Sequence, residues 1–215
     1  MAFKSLLRLF CEGFSPMTAV SKPLARVLAT VATVWALSAH PLHAQPAELE
    51  GVKLAPTVQV ASAPLVLNGA GLRTRAFFKV YVAALYTPQK ASDAAALLAQ
   101  KGPRRVVISM LRNVDADTFA GALSDGLRDN HTEAQVSALK PQIDALMATL
   151  KQAGEAKKGD VIHFDFDPAT GTQVSINGQS KGAVIAGADF YTAVLRIWLG
   201  DKPADGGLKK GLLGH

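Results

Sequence analysis

Cysteine is nearly absent: Cys11 is the only one in 215 residues. A disulfide scaffold, a cysteine-based zinc module and a CxxC redox pair each need at least two, so all three are excluded. Charge of one sign is also scarce, since 23 Lys+Arg stand against 17 Asp+Glu and the excess of +6 forms no block longer than a pair. Nucleic acid asks for a clustered basic face, and none is expected to bind here. No uninterrupted apolar run reaches the roughly 20 residues of a spanning helix, so the mature chain is expected to have no transmembrane span. What is present is 49% hydrophobic residues and 19% charged ones, enough apolar material for a core and too much for a disordered chain.

Part of that hydrophobicity is local. Lys4, Arg8, Lys22 and Arg26 precede the uncharged run Val27 to Ala39, and Leu42-His43-Ala44 ends in a small-x-Ala pattern. This is the order of an export signal, so residues 1–44 read as a cleaved signal peptide and 45–215 as one domain, with Met17 an alternative start. Removal takes away four basic residues and Glu12, lowering the formal charge from +6 to +3, and takes Cys11 too. The expected location is the periplasm.

From Ala47 to Ala63 alternating Val52, Leu54, Val58 and Val60 suggest a leader strand. Phe77–Tyr86 and Arg104–Leu111 are rich in β-branched and aromatic residues and predict strands. Asp115 can cap a helix carrying Phe119, Leu123 and Leu127 on one face, with Asn130 as its stop. A second apolar stripe from Val136 to Leu150 contains Pro141, which either kinks one helix or begins another. Ile162, Phe164 and Phe166 alternate with His163, Asp165 and Asp167, the pattern of a half-buried strand. Asn177-Gly178 suits a tight hairpin turn. Phe190, Val194, Ile197 and Trp198 predict an amphipathic helix ended by Gly200, followed by a Gly/Lys-rich tail whose Lys209-Lys210 reads as solvated. Antiparallel strands with segregated helices make an α+β domain.

Few constellations carry chemistry. Gly69-Ala-Gly71-Leu-Arg73 lacks the third glycine of a dinucleotide loop and leads into a strand, so it reads as a bulge or tight turn. Arg73 then either lies on the surface or is delivered inward, where a guanidinium needs an acceptor such as a ligand carboxylate. Tyr81 and Tyr86 are five residues apart and fall on opposite strand faces. His163, Asp165 and Asp167 could ligate a metal by type, but a polar strand face is ordinarily a solvated one. His131 and His215 are isolated. Ser124-Asp125 lacks the surroundings of a hydrolase nucleophile. No cofactor or metal is expected.

Taken together, Asn68-Gly-Ala-Gly-Leu-Arg73, Phe77-Phe-Lys-Val-Tyr-Val-Ala-Ala-Leu-Tyr86, Lys158-Gly-Asp160, Gly171-Thr172, Asn177-Gly178, Ile197-Trp-Leu-Gly-Asp-Lys-Pro203 and Leu212-Leu-Gly214 resemble the chalcone isomerase-like superfamily, in its bacterial exported branch. The resemblance implies an open-faced β-sandwich, a large antiparallel sheet with a layer of helices on one face and a ligand cleft between. It implies that Arg73 is a cleft residue and that Tyr81 joins it at the carboxylate of a bound fatty acid, as in the non-catalytic members. The plant isomerases have a threonine at the position of Tyr81, with a tyrosine and an asparagine on the following helix, where this sequence shows Phe119 and Gly126 or a neighbour. The expectation is therefore binding of a small amphiphilic carboxylate, such as a fatty acid, without catalysis. An isomerase acting on a chalcone-like substrate through Arg73 and Tyr81 is the alternative, and an envelope interaction protein with a vestigial cleft a third reading.

Overall fold

The computed structural model describes residues 47–215. The expected signal peptide at 1–44, its expected cleavage site and the alternative start at Met17 lie outside the described residues. Strands β1 (Ala47–Leu49) and β2 (Val52–Leu54) form a small hairpin. Then β3 (Thr57–Val60), β4 (Ala63–Arg75), β5 (Phe78–Thr87), β6 (Arg104–Met110), β7 (Val161–Asp167), β8 (Gly171–Ile176) and β9 (Gln179–Ile185) make a seven-stranded sheet in chain order. Every neighbouring pair in it is antiparallel.

The helices are α1 (Ala94–Ala99), α2 (Ala116–Asp129), α3 (Glu133–Ala138), α4 (Lys140–Ala153), α5 (Ala188–Leu199) and α6 (Gly206–Leu212). They cover one face of the sheet, and the small hairpin packs against part of the other. The architecture is the α+β open-faced arrangement expected.

The expected single leader strand is instead three short ones. Pro56 interrupts the run, and positive φ at Glu50 (54°) and Ala61 (51°) turns the chain twice. The Asn177-Gly178 expectation holds in detail: Ile176 pairs with Gln179, and φ values of 52° and 78° at the two loop residues are those of a primed turn. Asp115 caps α2 through a hydrogen bond from the Thr118 backbone N–H, and Asn130 ends that helix. Pro141 lies in the first turn of α4, so it begins a helix.

Strand periodicity divides the core in two. On β5, Tyr81, Ala83 and Leu85 face the helices, together with Ile108, Phe164 and Trp198. Val82, Ala84 and Tyr86 face the other side with Leu54, Val60 and Leu65, where the Tyr86 hydroxyl donates to the Ala55 carbonyl at 3.0 Å. The two tyrosines are thus on opposite faces, as their odd spacing requires.

Two helices depart from expectation. Helix α5 is buried around most of its circumference rather than along a stripe, because α1, α2 and α6 enclose the sides that the sheet leaves free. Gly126 lets α2 approach it: a Cβ there would lie 2.8 Å from Ile197 Cγ2. The Gly/Lys-rich tail is also helical. Asp205 caps α6, accepting from the Leu208 N–H at 3.0 Å, and Leu208 and Leu212 are buried one turn apart. Lys210 is exposed as expected, whereas Lys209 reaches back to the Gly200 carbonyl at 2.9 Å.

Candidate functional site

The glycine motif lies inside β4, so it is no turn. Leu67 pairs with Tyr86 and Gly69 with Leu85, which leaves Asn68 as a bulge with its side chain turned inward. Its amide donates to Leu212 O at 2.7 Å and Ala91 O at 3.0 Å and accepts from Ala91 N at 2.8 Å. Beside it helix and strand backbones nearly touch. A Cβ on Gly69 would lie 2.2 Å from Gly211 O, and one on Gly71 2.7 Å from Leu208 O. From the helix side, a Cβ on Gly211 would lie 2.3 Å from Ala70 O. The glycines on both elements therefore let α6 rest directly on β4.

That docking fixes Arg73. Its guanidinium donates from Nη1 to the Ala204 carbonyl and lies 3.9 Å from Asp205 Oδ2, with the side chain 23% exposed. The residue is neither free on the surface nor sealed in the core. Asp205 is itself committed, accepting from Leu208 N, Thr74 N and Thr74 Oγ1 at 3.0–3.1 Å. Burial pushes its carboxyl up, but these hydrogen bonds outweigh burial and hold it below the usual carboxylate range. A guanidinium has five N–H donors, so Arg73 keeps capacity beyond Ala204.

Tyr81 is directly opposite Arg73 across β4 and β5. Its hydroxyl oxygen accepts a 2.9 Å hydrogen bond from the Trp198 indole N–H. Since indole only donates, the phenolic proton is left over, and among the described residues no acceptor takes it. Burial raises the Tyr81 pKa further than Trp198 and the Arg73 charge lower it, so the group is a neutral donor. A second bulge follows: Arg73 pairs with Tyr81 but Thr74 with Lys79, leaving Val80 unopposed and beside Tyr81 on the same lining.

These side chains stand in a cleft of about 720 Å³ between the ends of β4 and β5, helix α2 and the segment Lys202–Ala204. Val80, Val114, Phe119, Leu123 and Ile197 supply an apolar lining, with Arg75, Arg112 and Lys202 on one part of the rim and Asp125 and Asp129 on α2. The volume lies within the range of small-molecule sites, and a lining that mixes apolar side chains with Arg73, Tyr81 and other polar groups suits an amphiphile.

The family model for chalcone isomerase-like proteins matches residues 46–214. The chain belongs to the chalcone isomerase-like family. No curated protein matches the sequence. Among solved structures, this chalcone isomerase-like protein is similar to a fatty-acid binding protein of Arabidopsis thaliana, with a TM-score of 0.57 and 14% identity, over 76% of this chain and 92% of that one. At that identity the likeness bears on the fold.

The structure brings Arg73 and Tyr81 together and places Phe119 and Gly126 on the same cleft. The polar face of β7 lies elsewhere. Arg105 grips Asp165 with two of its three nitrogens, Nε to Oδ1 and Nη2 to Oδ2 at 2.6 Å, and burial, aided by the Arg105 charge, lowers the pKa of His163. That stripe is a structural ion pair more than a bare solvated face. Among the described residues no group of three metal-ligating side chains occurs. His131 caps the end of α2 on the Leu127 carbonyl at 2.8 Å.

Sequence reasoning placed Trp198 only on the apolar face of a helix, with no part in the cleft, and assigned no role to Asp205. The signal for Asp205 was its position before Gly-Gly-Leu208, that of a helix cap. For Trp198 there was none, because its partner Tyr81 is 117 residues away.

Proposed function

We propose that this protein binds a fatty acid or similar long-chain carboxylate in the cleft, without transforming it, and that it does so as an exported, periplasmic protein. The observation that carries the binding reading is the uncommitted phenolic proton of Tyr81 beside the Arg73 guanidinium, in a cleft that Val80, Phe119, Leu123 and Ile197 also line. A carboxylate accepts from both. The acyl chain would lie along Val80, Phe119, Leu123 and Ile197, each buried methylene contributing about 0.8 kcal/mol. The chain supplies affinity while the two donors set orientation.

Ring closure of a chalcone asks for more. A phenolate must be oriented and a developing enolate stabilised by aimed donors. The α2 position that the resemblance assigns to a tyrosine carries Phe119, which offers no side-chain hydrogen bond, and the asparagine's place falls at Gly126 or a neighbour, where no asparagine stands. That supports binding over isomerisation.

The test is displacement of a fluorescent fatty acid from wild type and from Arg73→Ala. Loss of a charge-assisted hydrogen bond of about 1.5–3 kcal/mol should weaken binding about 10- to 150-fold. Unchanged affinity would remove Arg73 as the anchor. Chalcone cyclisation above the spontaneous rate, lost in the same variant, would replace binding with catalysis. Export is checked by the mass of the chain isolated from the cell envelope, expected to begin at Gln45; retained Met1 refutes it.

A further inference from the structure

We propose that the tip of the β4–β5 hairpin docks on an anionic lipid surface, with the phenyl ring of Phe77 inserted among the lipids. Only three large hydrophobic side chains among the described residues are exposed, and two of them are adjacent here: Phe77 is fully exposed and Phe78 60% exposed. Arg75 pairs with Phe78, so Ala76-Phe77 forms a two-residue loop in which Ala76 has φ of 54°. Such loops ordinarily carry Gly, Asn or Asp, which adopt that conformation at little cost and are well solvated. Here an alanine and a phenylalanine occupy the loop, and the ring is buried against nothing in the domain. Folding gives no reason for it.

The charges around the tip indicate the occupant. Arg75 and Arg112 are exposed, and neither is in an ion pair among the described residues. The Arg112 guanidinium sits 4.7 Å from the centre of the Phe78 ring. Three acids are engaged elsewhere: Glu50 pairs with Lys79 at 2.6 Å, Asp115 caps α2, and Asp205 holds Thr74 and α6, while Asp125 and Asp129 stand on α2 in the lining of the same cleft. An aromatic tip flanked by unpaired guanidiniums matches the interface of an anionic bilayer, with rings at headgroup depth and cations against phosphates. A second copy fits poorly, because two such tips would oppose their arginines. Arg75, Phe78 and Arg112 also line the mouth of the cleft. A docked tip would therefore open the cleft toward the lipid, a consequence that rests on the fatty-acid reading, whereas docking itself does not.

The test uses the full chain bearing Phe77→Trp, a change at a fully exposed position. It is mixed with phosphatidylglycerol vesicles carrying brominated acyl chains, and wild type, with Trp35 and Trp198, gives the background. The new indole should shift to the blue and be quenched. On phosphatidylcholine vesicles, partitioning should be about 30-fold weaker, from roughly fivefold for each of two arginines. Absence of quenching on phosphatidylglycerol overturns the proposal, whatever other part of the chain binds the vesicle. Equal quenching on both lipids overturns the anionic requirement. A blue shift that grows with protein concentration without lipid assigns the tip to a contact between copies, overturning the proposal. Repeating the titration with Arg73→Ala added separates the two readings, since docking should persist even if fatty acid no longer binds.

Discussion

Tyr81→Phe separates two roles held by one oxygen atom. In the folded chain that oxygen is the sole acceptor for the Trp198 indole N–H, and Trp198 is 1% exposed. Removing it leaves a donor in a dry interior, a penalty of about 1–3 kcal/mol. For a domain of this size that is about 2–4 °C of Tm per kcal/mol. The same deletion removes the proton offered to a ligand. A hydrogen bond to a carboxylate is worth about 1.5–3 kcal/mol, or about 10- to 150-fold in Kd. Tyr81 is 7% exposed, so water can replace little of this.

Chemical denaturation measures the first effect and fluorescent fatty-acid displacement the second. Trp198→Phe and the double variant close a cycle whose coupling isolates the orphaned N–H from the volume lost with the indole. In the double variant the penalty of the orphan should vanish while the affinity stays low. If Tyr81→Phe loses stability but keeps its affinity, the hydroxyl serves only Trp198 and the anchor reading of Tyr81 is wrong. If it loses neither, the reasoning from the buried indole fails as well.

Gly211→Ala sets helix propensity against the backbone dock. Propensity alone favours alanine by about 1 kcal/mol, but a Cβ 2.3 Å from Ala70 O should destabilise by about 1–3 kcal/mol. A lower denaturation midpoint and faster proteolysis within residues 206–215 are expected, and a stabilised variant would show that α6 has room. Asp205→Asn keeps an acceptor for Leu208 N and removes the negative charge near Arg73, so a carboxylate ligand should bind about three- to tenfold more tightly. The same variant tests pH linkage. Because the folded pKa of Asp205 is lowered, its stabilisation is fully present above 3.8 and is lost as pH falls through the folded value; the asparagine variant should lack that part of the acid transition in denaturation curves.

Most of the sheet was legible because strand periodicity and turn chemistry are local. His163 to Phe166 alternates, and Asn177-Gly178 declares its turn without reference to the rest of the chain. The site was legible in part. Arg73 and Tyr81 could be named from the family resemblance, but their surroundings depend on contacts spanning more than a hundred residues. The most misleading stretch was Gly206 to Leu212. Three glycines and two lysines in seven residues look like a solvated tail, because helix propensity does not register a backbone docking on another backbone. The glycines that weaken α6 as an isolated helix are what allow it to touch β4. In the same way, Gly69 and Gly71 suggested a bulge or a tight turn; a bulge does sit beside them at Asn68, but the glycines themselves make room for α6. Small residues mark both kinds of place, and only the partner distinguishes them.

The grip of Ala204 and Asp205 on Arg73 also bears on when a binding site can exist. Arg73 is 131 residues from Ala204 and 132 from Asp205 in the chain. During synthesis from the N-terminus, β4 and β5 can pair early, yet the guanidinium has no carbonyl to grip and Tyr81 no indole to meet until α5 and α6 have emerged. A chain ending before Ala204 could form most of the sheet and still leave Arg73 without its holders. Competence for the ligand is thus a late event in folding, and it reports that the far end of the domain has arrived.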